Sequence, residues 1–127
     1  MSTVKSRKQT ELSGGIIDVP IIHSLYHLYK VLHVLLLKFP KSQRYTLGSK
    51  IQVELLATAE AVITAATTSD HLKKLDYLNI ASAKLDLIRL LVRLAKDCKC
   101  LDNETYLDLE SQLHEIGKML GGWIKSL

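Results

Sequence analysis

The stretch KLDLIRLLVRLAKDCK contains three cations whose spacing is suited to binding phosphate. Arg89, Arg93 and Lys96 lie four and three residues apart, so an α-helix would align them along one face. Guanidinium and ammonium groups donate charge-assisted hydrogen bonds to phosphate oxygens, which predicts binding of a polyanion. The alternative is a solvated helix face on which Asp86 and Asp97 pair with these cations. The spacing alone leaves both interpretations open.

The charge of the chain is unevenly distributed. The formal net charge is +4, from 17 Lys and Arg against 13 Asp and Glu. Residues 1–100 hold 15 cations and 8 anions, whereas residues 101–127 hold 2 cations and 5 anions. One part of the surface is therefore predicted to be strongly positive, with the last helix as an acidic counterweight. This distribution permits polyanion binding without requiring it.

Other side chains do not assemble into a recognisable catalytic or metal site. His23 and His27 have the four-residue spacing of helical metal sites, but no third ligand follows at a matching spacing, and packing or solvent exposure explains them better. No nucleophile, base and oxyanion donor can be combined by spacing. The tyrosines could stack on bases, although their scatter favours packing for most of them: Tyr26, Tyr29, Tyr45, Tyr77 and Tyr106. We therefore predict no enzyme activity, no metal and no cofactor.

The cysteines and the apolar segments indicate a cytoplasmic protein. Cys98 and Cys100 are two residues apart, a spacing that on a helix points the side chains to different faces and disfavours a mutual disulfide. They are predicted to be reduced, structural thiols. The most apolar stretch, residues 31–37, is too short for a membrane span, and no signal-peptide core follows the basic residues near the N-terminus.

Composition and periodicity predict an all-α fold, an antiparallel up-and-down four-helix bundle. Apolar residues make up 47% of the 127 residues and only two prolines occur, which suits one helical domain. The apolar period predicts helices over residues 19–38, from Ser42 or Thr46 to Thr67, over residues 71–99, and from Asp102 or Asn103 onward. Short connections favour the up-and-down order. Residues 1–18 are predicted to be a flexible basic tail, and residues 19–127 the bundle.

Capping residues and apolar stripes predict where the helices start and which faces they bury. The predicted caps are Asp18 before Pro20, then Ser69 or Asp70, then Asp102 or Asn103. The main predicted core positions are Ile21, Leu25, Leu28, Leu32, Leu35, Leu36, Leu47, Ile51, Leu55, Ala59, Val62, Ile63, Ala66, Leu72, Leu75, Leu78, Leu85, Ile88, Val92, Ala95, Tyr106, Leu109, Leu113, Ile116, Leu120 and Ile124. The first helix is apolar on most sides, which predicts self-association because a monomer would leave part of it exposed.

The last helix contains a cluster of glycines that its other residues do not explain. The stretch IGKMLGGWIK holds Gly117, Gly121 and Gly122, and each interior helical glycine costs about 0.8–1 kcal/mol relative to alanine. The helix could end at Gly121, or it could continue and present Gly117 and Gly121 as a smooth groove for a close neighbour. The apolar residues Trp123 and Ile124 follow directly, so continuation is favoured.

Three stretches of the chain resemble one protein family. They are FPKSQRYTLGSKIQ, LDLIRLLVRLAKD and the closing LHEIGKMLGGWIKS, of which the last is the most specific. Together they resemble Avd, the accessory variability protein of diversity-generating retroelements in bacteria and their phages. The resemblance covers roughly residues 22–127. A more distantly similar group is the four-helix-bundle proteins encoded by intervening sequences of large-subunit ribosomal RNA genes.

The resemblance implies a function that periodicity alone cannot show. Avd proteins are four-helix bundles that form a barrel-shaped homopentamer, bind RNA and DNA with little sequence preference, and associate with the retroelement's reverse transcriptase. They have no known catalysis of their own. The family's functional basic pair falls on Arg89 and Arg93 in this sequence, and Lys41 and Arg44 match a recurrent family motif. We hypothesise that Arg89, Arg93 and Lys96 form a nucleic-acid-binding surface, with Lys41 and Arg44 as further candidates.

Two other classes of function remain open from the sequence. The cations of a purely structural oligomer would bind only protein, as in a protein–protein interaction module similar to the ribosomal RNA intervening-sequence proteins. A small helical enzyme or metal binder is the third class, and the residues support it least. The nucleic-acid-binding accessory protein is favoured because the resemblance and the basic stripe agree.

Overall fold

The computed structural model describes residues 15–16 and 18–127 of the chain. Within these residues four long helices occur and no strand, which confirms the all-α prediction. They are α1 (Pro20–Leu36), α2 (Ser49–Thr67), α3 (His71–Asp97) and α4 (Asn103–Ser126). The predicted basic tail, residues 1–18, lies almost entirely outside the described residues.

The four helices form an up-and-down bundle. Each helix packs against the next one in the chain, and α4 also packs against α1, which closes the bundle. Because the connections are short, consecutive helices run antiparallel. The end of α1, the start of α2, the end of α3 and the start of α4 therefore meet at one end of the bundle. Every helix in the described part of the chain falls short of the length and apolarity needed to cross a membrane.

Local capping explains where α3 and α4 start. The Asp70 carboxylate accepts hydrogen bonds from the backbone N–H groups of Leu72 at 3.0 Å and Lys73 at 3.3 Å. The Asp102 carboxylate accepts one from the N–H of Thr105 at 2.8 Å, which holds the pKa of Asp102 below its ordinary value. At each helix start the cap is one of the two predicted residues, Asp70 instead of Ser69 and Asp102 instead of Asn103.

The predicted cap at Asp18 is wrong. Val19 occupies the N-cap position of α1, and no side chain caps this helix. Pro20 follows in the first turn, where its missing N–H removes a donor that would otherwise lack an intrahelical partner. The proline therefore starts α1 without help from the carboxylate.

The core follows the predicted apolar stripes with one clear error. Buried side chains from all four helices form a single cluster that includes Leu28, Leu55, Ile88 and Leu113. Leu72 was predicted to be buried but is exposed: it lies in the first turn of α3, and its side chain does not pack against the core cluster. At the predicted core positions Leu35, Ala59, Ile63, Ala66, Leu75 and Ile124 the side chains are half-buried.

One buried carboxylate links α2 to α3. Glu54 is only 6% exposed, and its oxygens contact Lys50 Nζ at 2.7 Å and Lys84 Nζ at 3.0 Å. Hydrogen bonds from Lys50 and then Lys84 lower the pKa of Glu54 despite its burial. Periodicity predicted only apolar residues on this face, so the ion pair is a feature that the sequence pattern did not indicate.

The stretch FPKSQRYTLGSKIQ builds the corner between α1 and α2. Phe39 is buried, and a single α-helical turn (Lys41–Gln43) leads into a π-helical segment (Arg44–Gly48) before α2. Gly48 is buried against α1, and a Cβ at this position would lie 3.0 Å from Leu36 Cδ2. The glycine therefore allows the π-helical segment to approach the end of α1 closely.

Helix α4 continues through its glycines to Ser126, as predicted. A Cβ at Gly117 would lie 3.6 Å from Leu85 Cδ2 of α3, whereas a Cβ at Gly121 would meet nothing within 4 Å. Within the described part of one chain, the predicted groove therefore has a close neighbour only at Gly117.

The α3–α4 turn contains both cysteines, and both are free. Cys98 is exposed and Cys100 is buried, where burial raises the pKa of its thiol. Between them Lys99 has a φ of 67°, a left-handed conformation that reverses the chain direction into α4. This geometry explains why the two thiols point to different environments.

Candidate nucleic-acid interface

The three cations predicted on α3 lie along its boundary with α4. Arg89 Nε donates to Glu110 Oε1 at 2.8 Å, and Lys96 Nζ lies 4.9 Å from the centre of the Tyr106 ring. Tyr106 and Glu110 are one turn apart on α4, and the Tyr106 hydroxyl donates to Glu110 Oε2 at 3.2 Å. Glu110 and Tyr106 of α4 therefore contact the first and the last cation of the row.

Arg93, between them, has a carboxylate partner on its own helix. Its Nε lies 3.5 Å from Asp97 Oδ2. Asp97 raises the pKa of the Arg93 guanidinium, and the nearby Tyr106 hydroxyl raises it further. This side chain carries a full positive charge at any physiological pH.

The two arginines combine features of both interpretations drawn from the sequence. Each one contacts a carboxylate, as a solvated helix face would require, but the partner of Arg89 comes from α4 and was not predicted. Neither arginine lies inside the bundle, because the side chains are 38% and 59% exposed for Arg89 and Arg93. A guanidinium carries five N–H donors, so one carboxylate partner does not use up its capacity to bind a phosphate.

Arg44 has a structural role that its sequence position did not indicate. Its Nη2 donates to the backbone carbonyls of Leu37 at 2.9 Å and Phe39 at 3.4 Å, which completes the C-terminal end of α1. Its Nε is buried and has no hydrogen-bond partner among the described residues. Lys41, by contrast, is exposed in the turn that precedes the π-helical segment.

The fold brings the two separately predicted basic segments to the same end of the bundle. Lys41 and Arg44 precede α2, Arg93 and Lys96 belong to the last turns of α3, and the π-helical segment contacts α3. Arg89 lies about one turn further from this end. We call this surface the basic end, which comprises Lys38, Lys41, Arg44, Arg93, Lys96 and Lys99.

A charge pattern that the sequence reasoning missed supports the same surface. Residues 19–53 contain five cations and no acidic residue. This run covers all of α1 and the corner that leads into α2. The carboxylates near the basic end belong to the end of α3 and the start of α4. The charge of Lys38 contributes to the lowered pKa of one of them, Asp102. Counting acids along the chain would have revealed this asymmetry.

The His23–His27 pair lines an open pocket between α1 and α4. The pocket has a volume of about 390 Å³ and is also lined by Ser111, Gln112 and Glu115. Among the described residues, no group of three or more His, Cys, Asp or Glu side chains is placed to hold a metal ion. The pair is exposed, in line with the explanation that the sequence favoured.

Comparison with known proteins defines first the class of fold. A crystal structure of a protein of unknown function from the S23 ribosomal protein family, from Bacteroides thetaiotaomicron, superposes with a TM-score of 0.76. The two proteins are 15% identical, and the match covers 83% of this chain and 98% of the other. At this identity the likeness shows a shared four-helix-bundle fold and no more. None of the curated proteins matches the chain.

The family follows from the sequence itself. The model of the bAvd-like family matches residues 21–127, which include the basic end and all of the four helices except Pro20. The chain therefore belongs to the bAvd-like family. This result confirms the resemblance to Avd that the three sequence stretches indicated.

Proposed function

We propose that this protein is a non-catalytic, cytoplasmic accessory protein of a diversity-generating retroelement. It binds template RNA and complementary DNA through the basic end and Arg89, and it associates with the reverse transcriptase to support mutagenic synthesis of complementary DNA. Membership of the bAvd-like family supports the accessory role. The observation that carries nucleic-acid binding is the convergence of Lys41, Arg93 and Lys96 at one end of a rigid bundle.

The binding mechanism is electrostatic and independent of base sequence. Exposed cations held on stiff helices contact phosphate oxygens, and each contact releases a condensed counterion from the nucleic acid. The ion pair of Arg93 does not prevent this exchange, because an exposed pair such as Arg93–Asp97 contributes only about 0–1 kcal/mol. A phosphate can therefore replace the carboxylate at little cost.

Self-association belongs to the same proposal. Large apolar side chains remain exposed on the surface formed by α1 and α2, among them Val34, Leu37, Val53 and Leu56. Covering them favours a homo-oligomer, and the family resemblance specifies a pentamer. A ring of subunits repeats the basic end and multiplies its phosphate contacts.

Salt-dependent RNA binding tests the proposed surface. Fluorescence anisotropy of a labelled single-stranded RNA should give a log–log salt dependence with a slope of about −0.7 per phosphate contact. Replacing Arg89 and Arg93 together with alanine should weaken binding and flatten this slope while helicity and assembly persist. The matched control replaces Lys73 and Lys125, two exposed cations near the opposite end of the bundle, and should bind nearly as the parent does. Equal effects of the two double variants would show that the binding residues are misassigned.

A structural oligomer that binds only protein is the second candidate. The pairing of both arginines with carboxylates favours it, because such pairs also occur on surfaces with no anionic ligand. Co-purification with the reverse transcriptase and its template transcript separates the two candidates. The accessory protein should bring down both, whereas an interaction module should bring down protein alone and should not bind RNA at low salt.

A further inference from the structure

Tyr45 is the most exposed aromatic side chain in the described part of the chain. Its exposed fraction is 68%, compared with 50% for Tyr26, and the other aromatic residues are buried or half-buried. An exposed tyrosine ring offers a flat apolar face that a ligand can contact. The scatter of the tyrosines along the sequence predicted packing for most of them, and Tyr45 is the clearest exception.

The corner between α1 and α2 holds the backbone of Tyr45 in place. The preceding residue, Arg44, turns inward and bonds to the carbonyls of Leu37 and Phe39. On the following side, the Ser49 hydroxyl donates to the Arg44 carbonyl at 3.3 Å, and Gly48 packs closely on α1. The ring therefore projects from a rigid support, which lowers the entropy lost when it binds a ligand.

A pocket rich in hydrogen-bond donors lies beside the ring. Its volume is about 260 Å³, and its polar lining consists of His33, Arg44, Tyr45, Ser49 and Gln52. Ser49 already donates to the Arg44 carbonyl and Gln52 to the Tyr29 hydroxyl, which leaves His33, the Tyr45 hydroxyl and the remaining N–H groups of Arg44 as donors for a ligand. No acidic residue lines the pocket. Its surroundings are positive as well, since the run without acidic residues contains the pocket and Lys41. These features suit an anionic group such as a phosphate.

An exposed aromatic ring beside cations is the arrangement by which proteins bind unpaired nucleic acid. Bases stack on the ring while the cations follow the backbone, and a duplex cannot use such a ring because its bases already stack on one another. We propose that Tyr45 is a base-stacking platform, that the adjacent pocket takes a neighbouring phosphate, and that the basic end therefore prefers single-stranded RNA or DNA to duplex. This inference rests on the nucleic-acid binding proposed above and adds the form of its ligand.

Binding of single strand and duplex by Tyr45 variants tests the inference. The probes are a short fluorescent RNA of adenines only and a duplex of the same length. Tyr45→Ala should weaken binding of the single strand about 5- to 150-fold, the equivalent of one stacked base, and should leave duplex binding unchanged. Tyr45→Phe should retain most of the affinity because it keeps the ring. Leu72→Ala is the matched control, since Leu72 is as exposed as Tyr45 but lies in the first turn of α3, outside the pocket, and should have little effect.

The salt dependence separates this inference from the proposed function. Stacking neutralises no phosphate, so Tyr45→Ala should keep the salt slope of the parent. If the parent binds RNA with a steep salt slope and Tyr45→Ala binds it equally well, then Tyr45 is not a stacking platform, although RNA still binds at the basic end. The stacking proposal would also be overturned if Tyr45→Ala lost the same affinity for single strand and for duplex. A smaller particle mass of this variant by light scattering would overturn it as well. If the parent binds no nucleic acid at low salt, both proposals fail.

Discussion

At the scale of single residues, the α3 cations are defined by their partners on α4. Glu110 receives a hydrogen bond from Arg89 on one oxygen and from Tyr106 on the other, while Lys96 lies over the Tyr106 ring. Glu110 thus holds Arg89 in a defined position and at the same time competes with any phosphate for its guanidinium. The Glu110 carboxylate therefore fixes the position of the Arg89 side chain and at the same time reduces its affinity for phosphate.

Removing this competing charge should strengthen RNA binding. Glu110→Gln keeps the shape of the side chain but abolishes its charge. Because a half-buried ion pair competes at least as strongly as an exposed one, affinity for single-stranded RNA should rise by about five-fold or more. Asp108→Asn is the control, because Asp108 lies on the same helix and bonds to Gln112 instead of an α3 cation. Anisotropy at fixed salt measures both variants. An unchanged or lower affinity for Glu110→Gln would mean that phosphate does not bind at Arg89.

At the scale of elements, the α2–α3 pair depends on a buried carboxylate with two partly exposed lysine partners as well as on apolar packing. Lys50 approaches the Glu54 carboxylate from α2 and Lys84 approaches it from α3. One turn further along α2, Thr58 is fully buried, and its hydroxyl donates to the backbone carbonyl of Glu54. A buried carboxylate accepts only a register that brings its cations within reach, since a slip would leave its charge unpaired. This interaction therefore aligns the two helices.

The stability of the bundle should fall in acid, in part through Glu54. Its pKa is lower in the folded protein than in the unfolded chain, so the folded state binds fewer protons. The contribution is present above the unfolded pKa and is lost as the pH falls through the folded pKa. Glu54→Gln should reduce the free energy of unfolding by about 1–3 kcal/mol at neutral pH and by less in acid. Urea unfolding from neutral pH to below pH 4 compares the two proteins, and a difference that does not shrink in acid would contradict this role.

At the scale of the whole molecule, one surface is basic and another is apolar. The basic end gathers cations from the corner between α1 and α2 and from the end of α3 and the turn that follows it. By contrast, α1 and α2 leave apolar side chains exposed and form between them an almost wholly apolar groove of about 240 Å³. Exposed apolar surface of this kind favours association. The two surfaces divide the proposed tasks, since one binds phosphate and the other contacts further copies of the chain.

A charge placed on the apolar surface should disrupt assembly without unfolding the helices. Leu56 lines the groove and is exposed, so Leu56→Lys should lower the particle mass in light scattering while circular dichroism stays the same. Leu72→Lys is the control, because Leu72 is exposed in the first turn of α3, outside this groove. If the parent is already a stable monomer, or if both variants assemble alike, the apolar surface is not the contact between subunits.

Local patterns in the sequence were enough to determine the helices and their buried faces. The apolar period, the caps Asp70 and Asp102, and Pro20 act within one or two turns, so they can be read along the chain. The pattern failed at Leu72 because burial also requires a neighbouring helix, and the pattern describes only the helix itself.

Only the tertiary structure decided which residues meet across the bundle. Glu110 reaches Arg89 from 21 positions away, and Lys84 reaches Glu54 from 30 positions away. The π-helical segment turns Arg44 inward and leaves Tyr45 exposed, the reverse of what a pattern that buries apolar residues predicts for an arginine and a tyrosine. The candidate interface joins segments distant in sequence, and their contacts depend on how the helices pack. For that physical reason the sequence by itself indicated the cations, while the fold determined their partners.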